Sequence, residues 1–378
     1  MITVFADQYL YKISSFLPQS IDLRPYDPAR GLPSELHEAH ALLIRTVNAI
    51  NPETLPDIPE QLSFIGTGSS GTDHIDQAYL QEQGVTFADA AGCNARSVAE
   101  YVATGLLLWA EQTGDSLQDL SVGIIGVGHV GQQVQQQLEK LNVSAICYDP
   151  PRQEREASFQ SVTIEDVLNC DVLTFHTPLV SKGDWPTYHW LNEEKLRGRH
   201  FKLIINSARG GVIDEQALLQ AHQQKKVGAF ILDVWEDEPD LRLPTAEQAF
   251  LKTPHIAGYS VQAKQNASQF VADALIEHFD LPPAPPRENE DIRTIEAAVE
   301  SFDQLGDLMA HLHPLPEYQS RLQDILAGHP NQRGELFNKL RAEFPLRQQF
   351  GHILLPESYF DRFPLLTDLG FGLIGQTE

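Results

Sequence analysis

The chain has 378 residues, enough for two or three domains with sizeable cores. Its 42% hydrophobic content and mixed charge describe a soluble globular protein, and no apolar run approaches the ~20 residues of a membrane span. The 52 acidic residues against 27 basic ones give a net charge of −25, which argues against nucleic acid or an anionic membrane as partner and obliges any anionic substrate to find a local cluster of positive groups.

Residues 1 to about 95 alternate short apolar runs with helical stretches, and 41–44 and 63–66 read as strands ending in polar loops. Residues 97–112, SVAEYVATGLLLWAEQ, are apolar almost all round and predict a buried helix. Strands are predicted at 172–176 (VLTFH), 201–207 (FKLIINS) and 229–235 (AFILDVW), in alternation with helical patterns. That alternation implies a parallel sheet with helices on both faces. A long helix is predicted at 260–279, followed by Leu281-Pro-Pro-Ala-Pro-Pro286, which reads as a domain linker. The tail beyond is mainly helical, with strand-like runs at 352–355 and 371–375, and so reads as a small α+β domain. No internal repeat has a fixed period. Cys93, Cys147 and Cys170 show no metal-ligand spacing and suit a reducing compartment. The opening MITVFADQYLYK lacks the order of a signal peptide, so a cytoplasmic protein is expected.

The most informative stretch is 122–149, VGIIGVGHVGQQVQQQLEKLNVSAICYD. A β-branched run leads into Gly126-x-Gly128-x-x-Gly131, an amphipathic helix follows, and a second apolar run stops at Asp149. This is a βαβ unit carrying the dinucleotide fingerprint. Gly126 allows the tight turn, Gly128 lets the backbone approach a pyrophosphate, and Gly131 lets the helix pack on the strand. The free N–H groups of the helix start face the phosphates. Asp149 stands where a ribose 2′-hydroxyl needs an acceptor.

Ligands of open α/β sheets bind beyond the carboxyl ends of the strands. Three chemically active residues come to that rim: Arg209 after the 201–207 strand, Glu238 after 229–235, and His255 in TPHIAGYS. Arg209 can hold a substrate carboxylate and polarise the oxygen on the adjacent carbon. His255 can take a hydroxyl proton, and Glu238 can orient the imidazole and support it while it carries that proton. Taken singly, each is more often a solvated charge or a polar loop residue. His311-x-His313 lacks acidic or cysteine partners and does not read as a metal site. His74 reads as structural, and Cys93 has no role in hydride transfer.

GVGHVG, FHTPL, NSARGGVID, LDVWEDEP and TPHIAG occur in that order. They resemble the NAD-dependent D-2-hydroxyacid dehydrogenases across the whole cofactor domain. The resemblance implies two Rossmann-like α/β domains, NAD as cofactor, and Arg209, Glu238 and His255 as the catalytic set. It implies backbone contacts to the pyrophosphate from His129 and Val130. Further cofactor contacts fall on Asp149, Thr177, Ser207, Ala208, Asp233 and Gly258.

The runs LLIRTV, FIGTGSSGTDHID, AGCNARSVAEYV, YDPPR and HIAGYS, with the tail GELFNKLRAEFPLRQQF, narrow the resemblance to the branch that oxidises 4-phosphoerythronate on a bacterial route to pyridoxal phosphate. It implies substrate contacts at Thr46, Ser69 and Tyr259, and a tail that mediates homodimerisation. The chain departs from that branch at Asp7-Gln8-Tyr9-Leu10-Tyr11, where D-E-N-M-P is usual. Arg45 survives beside Thr46 and is a candidate for the substrate phosphate, as are Arg333, Lys339, Arg341 and Arg347 in the tail. The expected layout is a substrate domain of 1–98 and 258–285, a cofactor domain of 99–257 and a dimerisation domain of 286–378. Two other readings stay open: a dehydrogenase of a different 2-hydroxy acid, such as 3-phosphoglycerate, and a non-catalytic NAD-sensing protein. A small phosphorylated acid and a second copy of the chain are the expected partners.

Overall fold

The computed structural model describes residues 1–285, 292–295 and 297–375. The chain divides into two compact units, Met1–Asn94 with Ser260–Asp291, and Ala95–Tyr259 with Ile292–Glu378. The first is built on five parallel strands: β1 (Ile2–Asp7), β2 (Ile21–Tyr26), β3 (Ala41–Ile44), β4 (Phe64–Thr67) and β5 (Thr86–Ala88). They lie in the order β2-β1-β3-β4-β5. Every residue of β3 and β4 is buried, as expected of central parallel strands covered on both faces. Continuous apolarity is what made those two legible. Edge strand β2, IDLRPY, carries charges and Pro25 and has no such signature. The helix Val261–His278 packs on β4 and starts at Ser260, whose hydroxyl accepts from the Ala263 amide at 2.9 Å.

The second unit holds six parallel strands: β6 (Ser121–Ile125), β7 (Ser144–Tyr148), β8 (Val172–Phe175), β9 (Phe201–Asn206), β10 (Val227–Leu232) and β11 (Leu251–Lys252). Their order is β11-β10-β9-β8-β6-β7, so the chain reverses direction of growth between β6 and β8. That switch point is where such sheets bind ligands. Register aligns Ile125 with Phe175, Phe175 with Asn206 and Asn206 with Leu232. The loops that follow these strands therefore open at one rim. The helix Ala95–Thr113 is buried on nearly every face, packed between the helices His129–Lys140 and Leu305–Leu312.

The tail adds strands β12 (Arg293–Thr294), β13 (Ile353–Leu355) and β14 (Gly372–Leu373) as a small parallel sheet, with helices around it. Leu281–Pro285 has no regular structure, and Pro286 of the expected linker lies outside the described residues. One continuous core joins Val98, Trp109 and Leu138 of the cofactor sheet's helices to Leu308, Phe350, Ile353 and Leu366 of the tail. The apolar runs near 353 and 371 are covered by the helices of their own unit. At the centre of the join, the guanidinium of Arg347 meets the fully buried Glu100 at 2.5 Å and also donates to the Ser97 carbonyl at 3.0 Å.

Candidate active site

The glycine loop after β6 has the geometry its sequence demands. At Gly131, a Cβ would run into the Gly126 carbonyl, so only glycine lets the helix His129–Lys140 start that close to the strand. At Gly128, nothing in the described structure lies within 4 Å of where a Cβ would be, which leaves the approach to the helix start open. His129 and Val130 are the first two helical residues there, so their N–H groups have no partner one turn back. Asp149, at the end of β7, accepts from the Val127 amide at 2.7 Å and caps the next helix by accepting from the Arg152 amide at 2.9 Å. The carboxylate is thereby held against the glycine loop.

Across the switch point, the hydroxyls of Thr177 and Ser207 are buried and have no hydrogen-bond partner among the described residues. Such orphans are unfavourable unless a ligand satisfies them. Both stand on the rim formed by the ends of β8 and β9. Ala208 is buried, with its amide bonded to the Asn206 side chain at 3.1 Å. The residues present fit a dinucleotide: open space at Gly128, free helix-start amides, a carboxylate, and two unsatisfied hydroxyls.

Asn206 also pins the next turn by donating to the Arg209 carbonyl at 3.0 Å. The loop then passes so close to Trp235 that a Cβ at Gly210 would overlap the Trp235 carbonyl. This contact ties the arginine loop to the loop that carries Glu238. Arg209 itself donates to the Ala208 carbonyl at 2.8 Å.

Glu238 uses both oxygens. One accepts from the Trp235 amide at 2.8 Å and the other meets Nδ1 of His255 at 2.8 Å. Burial alone would raise this carboxyl. The His255 bond and charge, the Trp235 amide and the charge of Arg341 outweigh it, and the carboxyl falls below its usual range. Because Nδ1 is occupied, Nε2 is the nitrogen left to face a substrate.

Asp233 explains how the imidazole is presented. It is buried and accepts from the Thr253 hydroxyl (2.6 Å) and the amides of Ile256 (2.7 Å) and Ala257 (2.9 Å), while its carbonyl accepts from the His255 amide at 2.7 Å. His255 sits at φ 57°, a conformation that costs a non-glycine residue about 1 kcal/mol or more and persists because these bonds over-determine it. Tyr101 and Trp235 buttress the same turn, through the Thr253 hydroxyl at 2.7 Å and the Thr253 carbonyl at 3.0 Å. Sequence reasoning missed this supporting layer. Tyr101 is one aromatic among many on a buried helix, and nothing local marks it. Gly258 and Tyr259 complete the turn, with the Tyr259 amide bonded to the Ile256 carbonyl at 2.8 Å.

A second buried carboxyl lies behind this rim. Glu215 accepts from the Glu236 amide at 2.6 Å with one oxygen, and the other has no partner among the described residues. Burial, with the nearby Glu236 charge, pushes it up from 4.5 to about 7. The native state therefore keeps this proton longer than the unfolded chain. Stability falls as pH rises from about 4.5 to about 7 and levels off above. Glu215→Gln should raise stability at pH 8 by up to about 3 kcal/mol and leave it unchanged near pH 4. Urea denaturation at the two pH values checks this, and an equal effect at both would sink it.

In the first unit, Arg45, Thr46 and Ser69 follow the carboxyl ends of the neighbouring strands β3 and β4, linked by the Gly68 amide to the Ile44 carbonyl at 2.9 Å. Arg45 is not a bare charge: the buried Asp7 meets it at 2.8 Å, and it lies over the Tyr9 ring. His74 bonds the Thr67 hydroxyl at 3.0 Å. His313 is buried against Tyr101 and Thr104 in the second unit. Among the described residues no cluster of three or more His, Cys, Asp or Glu could hold a metal, and no helix is long and apolar enough to cross a membrane.

Residues 94–257 match the family described as D-isomer specific 2-hydroxyacid dehydrogenase, NAD binding domain. Over 92% of its length the chain is 36% identical to an erythronate-4-phosphate dehydrogenase of Marinobacter nauticus, covering 92% of that relative. It is 37% identical to the enzyme of the same name from Proteus mirabilis, over 91% of this chain and 92% of the relative. Among solved structures, a D-lactate dehydrogenase from Aquifex aeolicus complexed with NAD and lactic acid superposes with a TM-score of 0.57 at 24% identity, covering 74% of this chain and 95% of that one. An NAD-dependent formate dehydrogenase from Staphylococcus aureus in complex with NAD gives 0.57 at 21% identity, over 74% and 96%. These two likenesses establish the fold.

Proposed function

The chain belongs to the erythronate-4-phosphate dehydrogenases, and from that premise we propose that it oxidises 4-phospho-D-erythronate at C2 to 2-oxo-3-hydroxy-4-phosphobutanoate with NAD, on the route to pyridoxal phosphate. The observation that carries the substrate is the similarity along some nine-tenths of the chain to relatives of that name. The arginine, glutamate and histidine alone would fit any 2-hydroxy acid.

NAD, when bound, accepts the hydride that leaves C2. The chain's residues do the rest. Arg209 grips the substrate carboxylate and the adjacent oxygen through its planar fork. Nε2 of His255 takes the hydroxyl proton as the C2–O bond becomes a carbonyl. Glu238, fixed by the Trp235 amide, holds Nδ1 and stabilises the ring while it carries the extra proton. The amides of His129 and Val130 would hold the pyrophosphate. Asp149 would accept from the ribose, and Thr177, Ser207, Ala208, Asp233 and Gly258 would complete the cofactor site. Thr46, Ser69, Arg45 and Tyr259 would contact substrate. Following the appearance of NADH with 4-phospho-D-erythronate and with 3-phosphoglycerate tests the assignment. Equal or better turnover of 3-phosphoglycerate would overturn it.

NAD should be preferred over NADP, because Asp149 accepts from a 2′-hydroxyl but repels a 2′-phosphate. Arg152, three residues on, is already engaged by Glu156 at 2.7 Å and by the Val127 carbonyl at 2.8 Å. Asp149→Ala should narrow the preference by weakening NAD. Equal kcat/KM for the two cofactors in the unaltered enzyme would remove Asp149 from this role.

The homodimer is also proposed, supported by the family resemblance of the tail. Light scattering should give twice 42.2 kDa, and a mass near 42.2 kDa would overturn it. A cytoplasmic location is supported by three cysteines that all stand as free thiols.

A further inference from the structure

Four of the tail's basic residues, Arg333, Lys339, Arg341 and Arg347, could not be ranked from sequence alone, and their surroundings separate them. Arg347 is consumed by the buried Glu100. Arg333 donates to the Gly328 carbonyl at 3.1 Å. Lys339 is exposed and lies 3.9 Å from Glu343. Arg341 lies in the last turn of the helix Arg333–Ala342. A buried Nε without a partner among the described residues is common to Arg333, Arg341 and Arg347, so what sets Arg341 apart is its place beside Tyr259 and Glu238.

The helix is placed against the catalytic loops of its own unit. Its Gly334 abuts Asp240 and Pro239, directly after Glu238, with the position of a Cβ only 2.8 Å from the Asp240 carboxylate oxygen. Just past its other end, the Phe344 ring meets the Tyr259 ring edge-on at 5.8 Å. Arg341 stands between these contacts, its guanidinium carbon 6.0 Å from the centre of the Tyr259 ring. Its positive charge reaches Glu238 and helps to hold that carboxyl low. A half-buried guanidinium beside the catalytic pair, with no ion pair of its own among the described residues, is costly in an apoprotein and useful to an anionic ligand.

We propose that Arg341 is a substrate-binding residue that takes the phosphate of the 2-hydroxy acid, so that the tail completes the active site of its own chain. The inference rests on the function proposed above. Arg209 accounts for the substrate carboxylate and His255 for the hydroxyl. The phosphate remains, a dianion in a protein of net charge −25, and it needs a guanidinium fork. Arg45 is compensated by Asp7. Among the described residues Arg341 has no such ion pair.

The test uses the full chain with NAD and compares Arg341→Ala, Arg341→Gln and Arg341→Lys with the unaltered enzyme. Losing charge-assisted bonds to phosphate should raise KM for 4-phospho-D-erythronate about 10–100-fold in the Ala and Gln variants, with partial recovery in the Lys variant. Turnover of unphosphorylated D-erythronate should fall much less, so that the ratio of kcat/KM for the two acids drops about 10-fold or more in the Ala and Gln variants. Inorganic phosphate should inhibit and thermally stabilise the unaltered enzyme, and both effects should weaken in the variants. Unchanged KM and unchanged phosphate protection overturn the proposal. So does an equal loss on both acids with a displaced pH profile, which would make Arg341 a positioning residue acting through Glu238. If the unaltered enzyme fails to oxidise 4-phospho-D-erythronate, the functional reading falls. The phosphate-protection measurement still decides the role of Arg341.

Discussion

Replacing His255 with alanine is expected to lower kcat by about 10²–10⁴-fold, the usual worth of a positioned general base, while NADH binding stays within a factor of two or so. The imidazole is aimed by a chain of bonds that survives the substitution: Asp233 to the 255–257 backbone, and Trp235 to Glu238. The loss is therefore chemical. Arg209→Ala should behave differently, raising KM and lowering kcat together, because the arginine holds ground state and transition state alike. Glu238→Gln is the sharper probe of the pair. The amide keeps a hydrogen bond to Nδ1 but no longer stabilises an imidazolium, so the rise of kcat/KM with pH should move to lower pH and kcat should drop. Fluorescence titration with NADH and a pH series of initial rates read these effects. A His255→Ala enzyme with near-normal kcat, or an unmoved profile in Glu238→Gln, would remove that residue from the mechanism.

Arg347→Ala should be the most destabilising single substitution outside the site. It leaves Glu100, with a fully buried side chain, without its closest counter-charge. Breaking a buried pair from one side costs about 3–5 kcal/mol. The lower end applies here, because Glu100 keeps the Phe350 amide at 3.0 Å and Arg96 at 3.2 Å. At roughly 2–4 °C per kcal/mol for a body of this size, the midpoint should fall by about 6–12 °C. The pair joins the helix Ala95–Thr113 to the tail inside a shared core, so both should melt together. Removing both charges, as Glu100→Leu with Arg347→Met, should recover much of the loss. Scanning calorimetry decides the matter, and a fall of under about 2 °C in Arg347→Ala would show that the pair contributes little.

Much of the cofactor half was legible because its signals are local. Gly126-x-Gly128-x-x-Gly131 and Asp149 lie within one βαβ unit, where turn, helix start and strand end are dictated by short-range sterics. Arg209 and Glu238 could be placed at one rim because consecutive parallel strands each end in a loop on the same side. The register from Ile125 to Leu232 bears that out. The strands expected at 41–44 and 63–66 were readable as short apolar runs, the second lying one residue further on at Phe64–Thr67, whereas β2 was not, because an edge strand tolerates charge and proline. The linker reading could not be followed past Pro285.

What the amino-acid sequence determined by itself was thus the parallel cofactor sheet and its glycine loop, and through the family resemblance it singled out the three side chains proposed to react. Tertiary structure alone decided the partners. It chose Asp7 for Arg45, and Glu100, across 247 residues, for Arg347. It bent His255 into its left-handed turn through Asp233, and it left Arg341 beside Tyr259 and Glu238. The reason is physical. Periodicity tells which face of a helix is apolar, but Arg333, Lys339, Arg341 and Arg347 share nearly one neighbourhood in the chain. Which of them is neutralised and which is left for an anion depends on what packs opposite, and that is fixed only when the tail's helices close the core they share with the cofactor sheet.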